Sequence, residues 1–155
     1  MLFRSFFCFV FGLPYAGTAS DFNLLRHNLA LQSGYRIKLN ISNLAEVAGN
    51  VAILIFNAQD GFPGDEKKAI RKAVLKVTDR VILHEFDRLP PGNYAVAVVH
   101  DKNGNSRLDT NFLGIPNEGV GVSNNAWNRF GPPRFEDAVF VLKDSDVSLT
   151  IRLRN

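Results

Sequence analysis

The residues best suited to chemistry in this chain lie in one short run, Asp101-Lys102-Asn103-Gly104-Asn105-Ser106-Arg107-Leu108-Asp109. Asp101, Asn103, Asn105 and Asp109 stand at relative positions 1, 3, 5 and 9. A loop wrapping a hard cation turns alternate side chains inward, and carboxylate and amide oxygens suit calcium. Arg107, at relative position 7, would lend its backbone carbonyl, and Glu118 is available as a later carboxylate ligand. The fit to the calcium pattern D-x-[DN]-x-[DN]-G is partial. Ser106 occupies the glycine position, and relative position 12 is Phe112 rather than Glu. No helix pair flanks the run, so it is not an EF-hand. Calcium is the expected cofactor, at the modest affinity of extracellular modules. The competing reading is an Asn-Gly turn in which Asp101 and Asn103 bond their own backbone.

A second chemistry is conceivable beside the first. His100 next to Asp101, with Glu118, would make an acid–base site if the three met in a cleft. This is the alternative, enzymatic reading, hydrolase-like or otherwise. His27 and His84 are not at ligand spacing to His100. His100 also continues the apolar face of its strand, which favours a hydrogen-bonded structural histidine. The same holds for His84, between Ile82 and Phe86. No G-x-S-x-G elbow and no phosphate-binding glycine loop is present. Ser123-Asn124-Asn125 reads as a polar clamp or, more simply, a tight turn. Trp127 and Phe130, near Arg129 and Arg134, would suit a carbohydrate or protein surface. The simpler expectation is that they and Phe135 seal a long loop onto the body of the protein. Lys67, Lys68, Arg71, Lys72 and Lys76 form a basic stretch that could meet an anionic surface. Asp60, Asp65 and Glu66 are close by, so a solvated face is favoured.

These residues need elements to position them. Tyr35, Ile37, Leu39 and Ile41 alternate with polar residues and predict a half-buried strand. Val51–Phe56 is apolar on both faces, as in a central strand. A helical turn near 65–70 leads into a strand near 72–77, and Thr78-Asp79 could close a hairpin to Val81–Phe86. After the rigid Leu89-Pro90-Pro91-Gly92-Asn93 turn, Tyr94–His100 carries Tyr94, Val96 and Val98 on one face and Ala95, Ala97 and Val99 on the other. Residues 101–136 show no periodicity. Ala138–Leu142 and Val147–Leu153 are the last strands. Seven short strands with one long insert predict an all-β protein, a single antiparallel β-sandwich with a loop near 101–136.

At 155 residues, 46% apolar and 21% charged, the chain suits one folded domain. A net charge of +3, scattered along the chain, does not point to nucleic acid. Residues 1–19 read as a secretory signal peptide: Arg4, an apolar run over Phe6–Leu13 too short to span a bilayer, and Gly17-Thr18-Ala19 before a cut at Ser20. The expected organisation is a signal peptide (1–19), a lead-in (20–34) and a β-sandwich domain (35–155). The destination is periplasmic or extracellular, with no membrane span once the signal is removed. Losing Arg4 and Cys8 leaves no cysteine, so stability must come from the core or a bound metal.

Read together, Leu89-Pro90-Pro91-Gly92-Asn93-Tyr94, His100-Asp101-x-Asn103-Gly104-Asn105, Leu108-Asp109, Gly114-Ile115-Pro116-x-Glu118 and Gly121-x-Ser123-Asn124-Asn125 resemble the DUF2141 family. Gly131-Pro132-Pro133-x-Phe135-Glu136-Asp137-Ala138-x-Phe140 extends the resemblance, which covers roughly residues 35–154. Where that pattern has Gly-Lys after the second Asn, this chain has Ser106 and Arg107. The resemblance implies a small exported bacterial protein with a sandwich like prealbumin or the carboxypeptidase regulatory-like domain. It implies no activity. The expectation is a non-enzymatic exported module, its calcium-organised loop presenting a binding surface that includes Trp127 and Phe130, to a partner such as a carbohydrate or an envelope protein.

Overall fold

Alternation of apolar and polar residues builds most of the molecule. The computed structural model describes residues 9–10, 13–14, 20, 34–112, 116–129 and 131–155. The chain divides into two compact units, Met1–Ser33 and Gly34–Asn155. In the first, β1 (Phe9–Val10) pairs antiparallel with β2 (Leu13–Pro14). The expected signal and lead-in segments otherwise lie outside the described residues. No described helix is long and apolar enough to cross a membrane.

The second unit holds two sheets. One has the order β10 (Val147–Arg152), β3 (Tyr35–Ser42), β6 (Ile82–Leu89). The other runs β5 (Arg71–Lys76), β4 (Asn50–Phe56), β7 (Gly92–Asp101), β8 (Gly119–Val122). The far edge of β7 is shared: β8 pairs with Ala97–His100, and β9 (Phe140–Leu142) pairs with Gly92–Tyr94. Ile37, Leu39 and Ile41 of β3 face Val51, Ile53 and Ile55 of β4 and Tyr94, Val96 and Val98 of β7 in one buried cluster. Each fully buried aliphatic side chain there contributes about 1.5–3 kcal/mol. The fold is an all-β sandwich.

Three details differ from the expectation. The sandwich is not wholly antiparallel, because β10 lies parallel to β3, Val147 opposite Ile37 through Arg152 opposite Ser42. The chain reaches β10 from β9 in the other sheet, so no hairpin imposes an antiparallel course. The hairpin at Thr78-Asp79 does not form: β5 pairs with β4, and β6 with β3. Val77 and Ile82 are both buried, and the connection carries the chain from one sheet to the other, with Arg80 Nη1 donating to the Ala45 carbonyl at 3.2 Å. Finally, the 101–136 insert contains the strand β8. Its two glycines hide it from a periodicity argument, and the packed core leaves little room for a side chain at Gly121. A Cβ on Gly121 would lie 2.9 Å from Ile151 Cγ2, and one on Gly119 would lie 2.7 Å from Asn155 Oδ1.

The outer face of the larger sheet is covered as well. Leu54, Phe56, Ala95, Ala97 and Val122 form a second buried cluster with Ala138, flanked by Phe62 and Phe135. The small alanines on β7 admit this cover. Phe62 packs edge-on against Phe56 (5.4 Å) and Phe135 (5.7 Å). Phe135 opens α1 (Phe135–Ala138), a single turn that precedes β9. Near 65–70, where a helical turn was expected, the chain makes turns and no helix: Asp65 N–H bonds Gly61 O (2.8 Å) and Lys68 N–H bonds Asp65 O (3.0 Å).

Candidate functional site

The end of β7 delivers His100 and Asp101, which as strand neighbours point to opposite faces. His100 is fully buried, and its Nε2 donates to the Ala48 carbonyl at 2.8 Å. Its Nδ1 has no partner among the described residues. This is a packed structural histidine. The geometry does not bring His100, Asp101 and Glu118 into a shared open cleft, which an acid–base site would require.

Asp101 starts the loop. Its Oδ1 accepts from the Gly104 and Asn105 amides (2.7 and 3.1 Å), and its Oδ2 accepts from the Ser106 amide (2.8 Å). Asn103 Oδ1 accepts from Asn105 N–H (3.0 Å), and Asn105 Oδ1 from Arg107 N–H (2.8 Å). The side-chain amides of Asn103 and Asn105 both donate to the Asp109 carboxylate, at 2.7 Å and 3.0–3.1 Å. Buried Glu118, just before β8, braces the loop, accepting from Lys102 N–H (3.2 Å) and Asp109 N–H (3.4 Å). Asn117 N–H bonds the Asp109 carbonyl at 2.8 Å.

The sequence-predicted set is therefore brought together: Asp101, Asn103, Asn105, Asp109 and Glu118 form one connected loop. Arg107 joins it through its backbone amide. Phe112 is 94% exposed and stands apart. The self-bonded turn is fully drawn in these contacts. Among the described residues no three His, Cys, Asp or Glu side chains gather at metal-holding spacing. A cation here would need the two Asn amide oxygens, reached by turning each amide about its last bond, which exchanges donor for acceptor toward Asp109. Lys102, Asn103, Asp109, Thr110, Asn117 and Glu118 line a depression of about 390 Å³.

Ser123-Asn124-Asn125 is a clamp as well as a turn. Ser123, fully buried, accepts from Val96 N–H (2.9 Å) and donates to Ala138 O (2.6 Å), at the point where β7 changes partner from β8 to β9. Asn124 Nδ2 donates to Val139 O at 2.9 Å. Asn125 donates to Thr150 O (3.0 Å) and accepts from Arg152 N–H (2.8 Å), continuing the edge of β10.

Trp127 does not seal the loop as Phe135 does; it is 49% exposed. The Arg154 guanidinium lies 4.4 Å from the centre of its ring. Phe130 lies outside the described residues. The basic stretch is partly neutralised, with Lys68 paired to Asp60 (2.7 Å) and Lys72 to Glu66. Sequence reasoning missed Arg154 and Asp137 as neighbours of Trp127. No local signal marks them, because the fold alone brings position 154 back to 127.

The fold and the loop define a class: an all-β sandwich of two sheets with one long polar loop held by buried carboxylates at the end of a central strand. The chain belongs to the DUF2141 family, whose model, described as an uncharacterized protein conserved in bacteria, matches residues 39–150. No curated protein and no solved structure matches the chain.

Proposed function

We propose that this protein is an exported, non-enzymatic sandwich module whose 101–118 loop is organised by calcium and presents a binding surface. The carrying observation is the convergence of Asn103 and Asn105 on Asp109 within a loop already anchored by Asp101 and Glu118. These are the oxygen-bearing side chains that a calcium loop spaces at alternate positions. Burial of His100 supports a structural rather than a catalytic use of the strand end. Export rests on the pattern of residues 1–19, and extracellular calcium levels suit a modest site.

The test begins with protein recovered from the periplasm, its first residue expected as Ser20 by intact mass. It is melted in EDTA and then in millimolar calcium. Binding to the folded state stabilises by about 2.7 kcal/mol at roughly a hundredfold excess over Kd, which raises Tm by several degrees. Asp109→Asn keeps the shape but removes a charge, so the calcium-dependent rise should vanish while the EDTA melt stays within about 1 kcal/mol of the parent. No rise in the parent protein would leave a self-bonded turn.

A further inference from the structure

We infer that the cleft beside Trp127 binds a neutral carbohydrate. This goes beyond the loop reading: the site lies on a different segment and needs no cation. The cleft has a volume of about 620 Å³ and is lined by Ala126, Trp127, Asn128, Arg134 and Asp137. Its one large apolar surface is the half-exposed indole, which the core does not use. Arg154 stacks on that indole but does not line the cleft, so it orients the ring without filling the space.

The polar wall supplies donors and acceptors together. Arg134 forks onto Asp137, Nε to Oδ2 at 3.0 Å and Nη2 to Oδ1 at 3.3 Å, and its Nη1 lies 3.3 Å from Glu136. Three of the five guanidinium N–H groups have these carboxylate partners, and each Asp137 oxygen keeps a second lone pair. Asn128, whose Nδ2 donates to the Pro132 carbonyl at 3.4 Å, borders the cleft as well. Sugar hydroxyls donate and accept at once, and the C–H face of a pyranose packs on an aromatic ring. A Trp platform edged by planar polar groups matches that chemistry. Two carboxylates already offset Arg134 in the polar wall, while Arg154 on the indole is a nearby cation, so the phosphate arm of the titration below separates a sugar from an anion.

The wall is also held in place. Asn124 donates to the Val139 and Asp137 carbonyls (2.9 and 3.4 Å), and Ser123 to the Ala138 carbonyl (2.6 Å), fixing α1 where Asp137 sits. A wall fixed before binding loses little conformational entropy on taking a ligand.

Trp127 is the single tryptophan of the chain, so its emission reports on this cleft alone. The full chain would be titrated in EDTA with maltotriose, cellotriose and triacetylchitotriose, then with inorganic phosphate, and the series repeated in calcium. The expected result is a saturable change with at least one trisaccharide, at a Kd of about 1 mM or tighter, alike with and without calcium, and none with phosphate. Asp137→Asn should weaken that Kd about tenfold, and Arg134→Lys, which keeps the charge but loses the planar fork, should repeat the loss. A flat response to all three sugars overturns the inference. So does an equal response to phosphate, or affinity untouched in both folded variants.

Discussion

Ser106 holds a left-handed backbone, with φ of 59°, at the place where both the calcium pattern and the family pattern have glycine. A side chain in that region costs about 1–2 kcal/mol, and glycine adopts it freely. The serine side chain is exposed, and the bond its amide makes to Asp101 would survive the change. Ser106→Gly should therefore stabilise the protein by about 1 kcal/mol, read as a higher urea midpoint with unchanged slope. The position of this turn was legible because spacing and turn chemistry are local properties. The partners of Asp109 were half legible. Its distance from Asp101 in sequence suggested a shared loop, but the choice between amide contacts and a cation belongs to side-chain rotation.

At the scale of elements, the clamp at Ser123 sets how β7 divides its edge between β8 and β9. Val96 N–H falls in the gap between the two ladders and takes the Ser123 hydroxyl instead. Ser123→Ala would leave both Val96 N–H and Ala138 O buried without that partner, at a cost of about 2–3 kcal/mol. The expected outcome is a Tm lowered by several degrees with the far-UV spectrum retained. Sequence offered the Ser-Asn-Asn run as a clamp or a turn. It did not show what is clamped, because the groups involved, at 96, 137–139 and 150–152, are distant along the chain. The strand β8 escaped notice for a related reason. Its glycines answer to close passage of the C-terminal residues, and a four-residue strand with two glycines has no period to read.

For the whole molecule, acid stability should depend on His84. It faces Phe86 edge-on at 4.7 Å, only partly accessible to water. Desolvation pushes its imidazole below the ordinary value, and the nearby Glu85 opposes this in part. The unfolded chain then binds the proton more readily than the folded one. Stability is thus fully present above the ordinary value of about 6.5 and falls as pH drops from there through the folded-state value. Urea unfolding above pH ~7 and near pH ~5 checks this, and His84→Leu should flatten that limb of the profile. The surface ion pairs, such as Arg36 with Asp146 at 3.0 Å, are exposed and add little to it.

Alternation and turn residues were enough to place β3, β4, β7 and β10 and to predict an all-β sandwich. Burial on one face or two is written into the side-chain pattern, and a one-residue slip would turn the apolar set outward. The DUF2141 motifs were visible in the same way, as local strings. Tertiary structure alone decided that β10 runs parallel to β3, that Thr78-Asp79 crosses between sheets, and that Arg154 returns to Trp127. Those outcomes depend on contacts such as Asn43 Nδ2 to Leu153 O, 110 residues apart, which the whole core has to select together. The same holds for His100. Its type and neighbours fitted either a site or a core, and full burial against Ala48 is a property of the packed sheets, not of the strand that carries it.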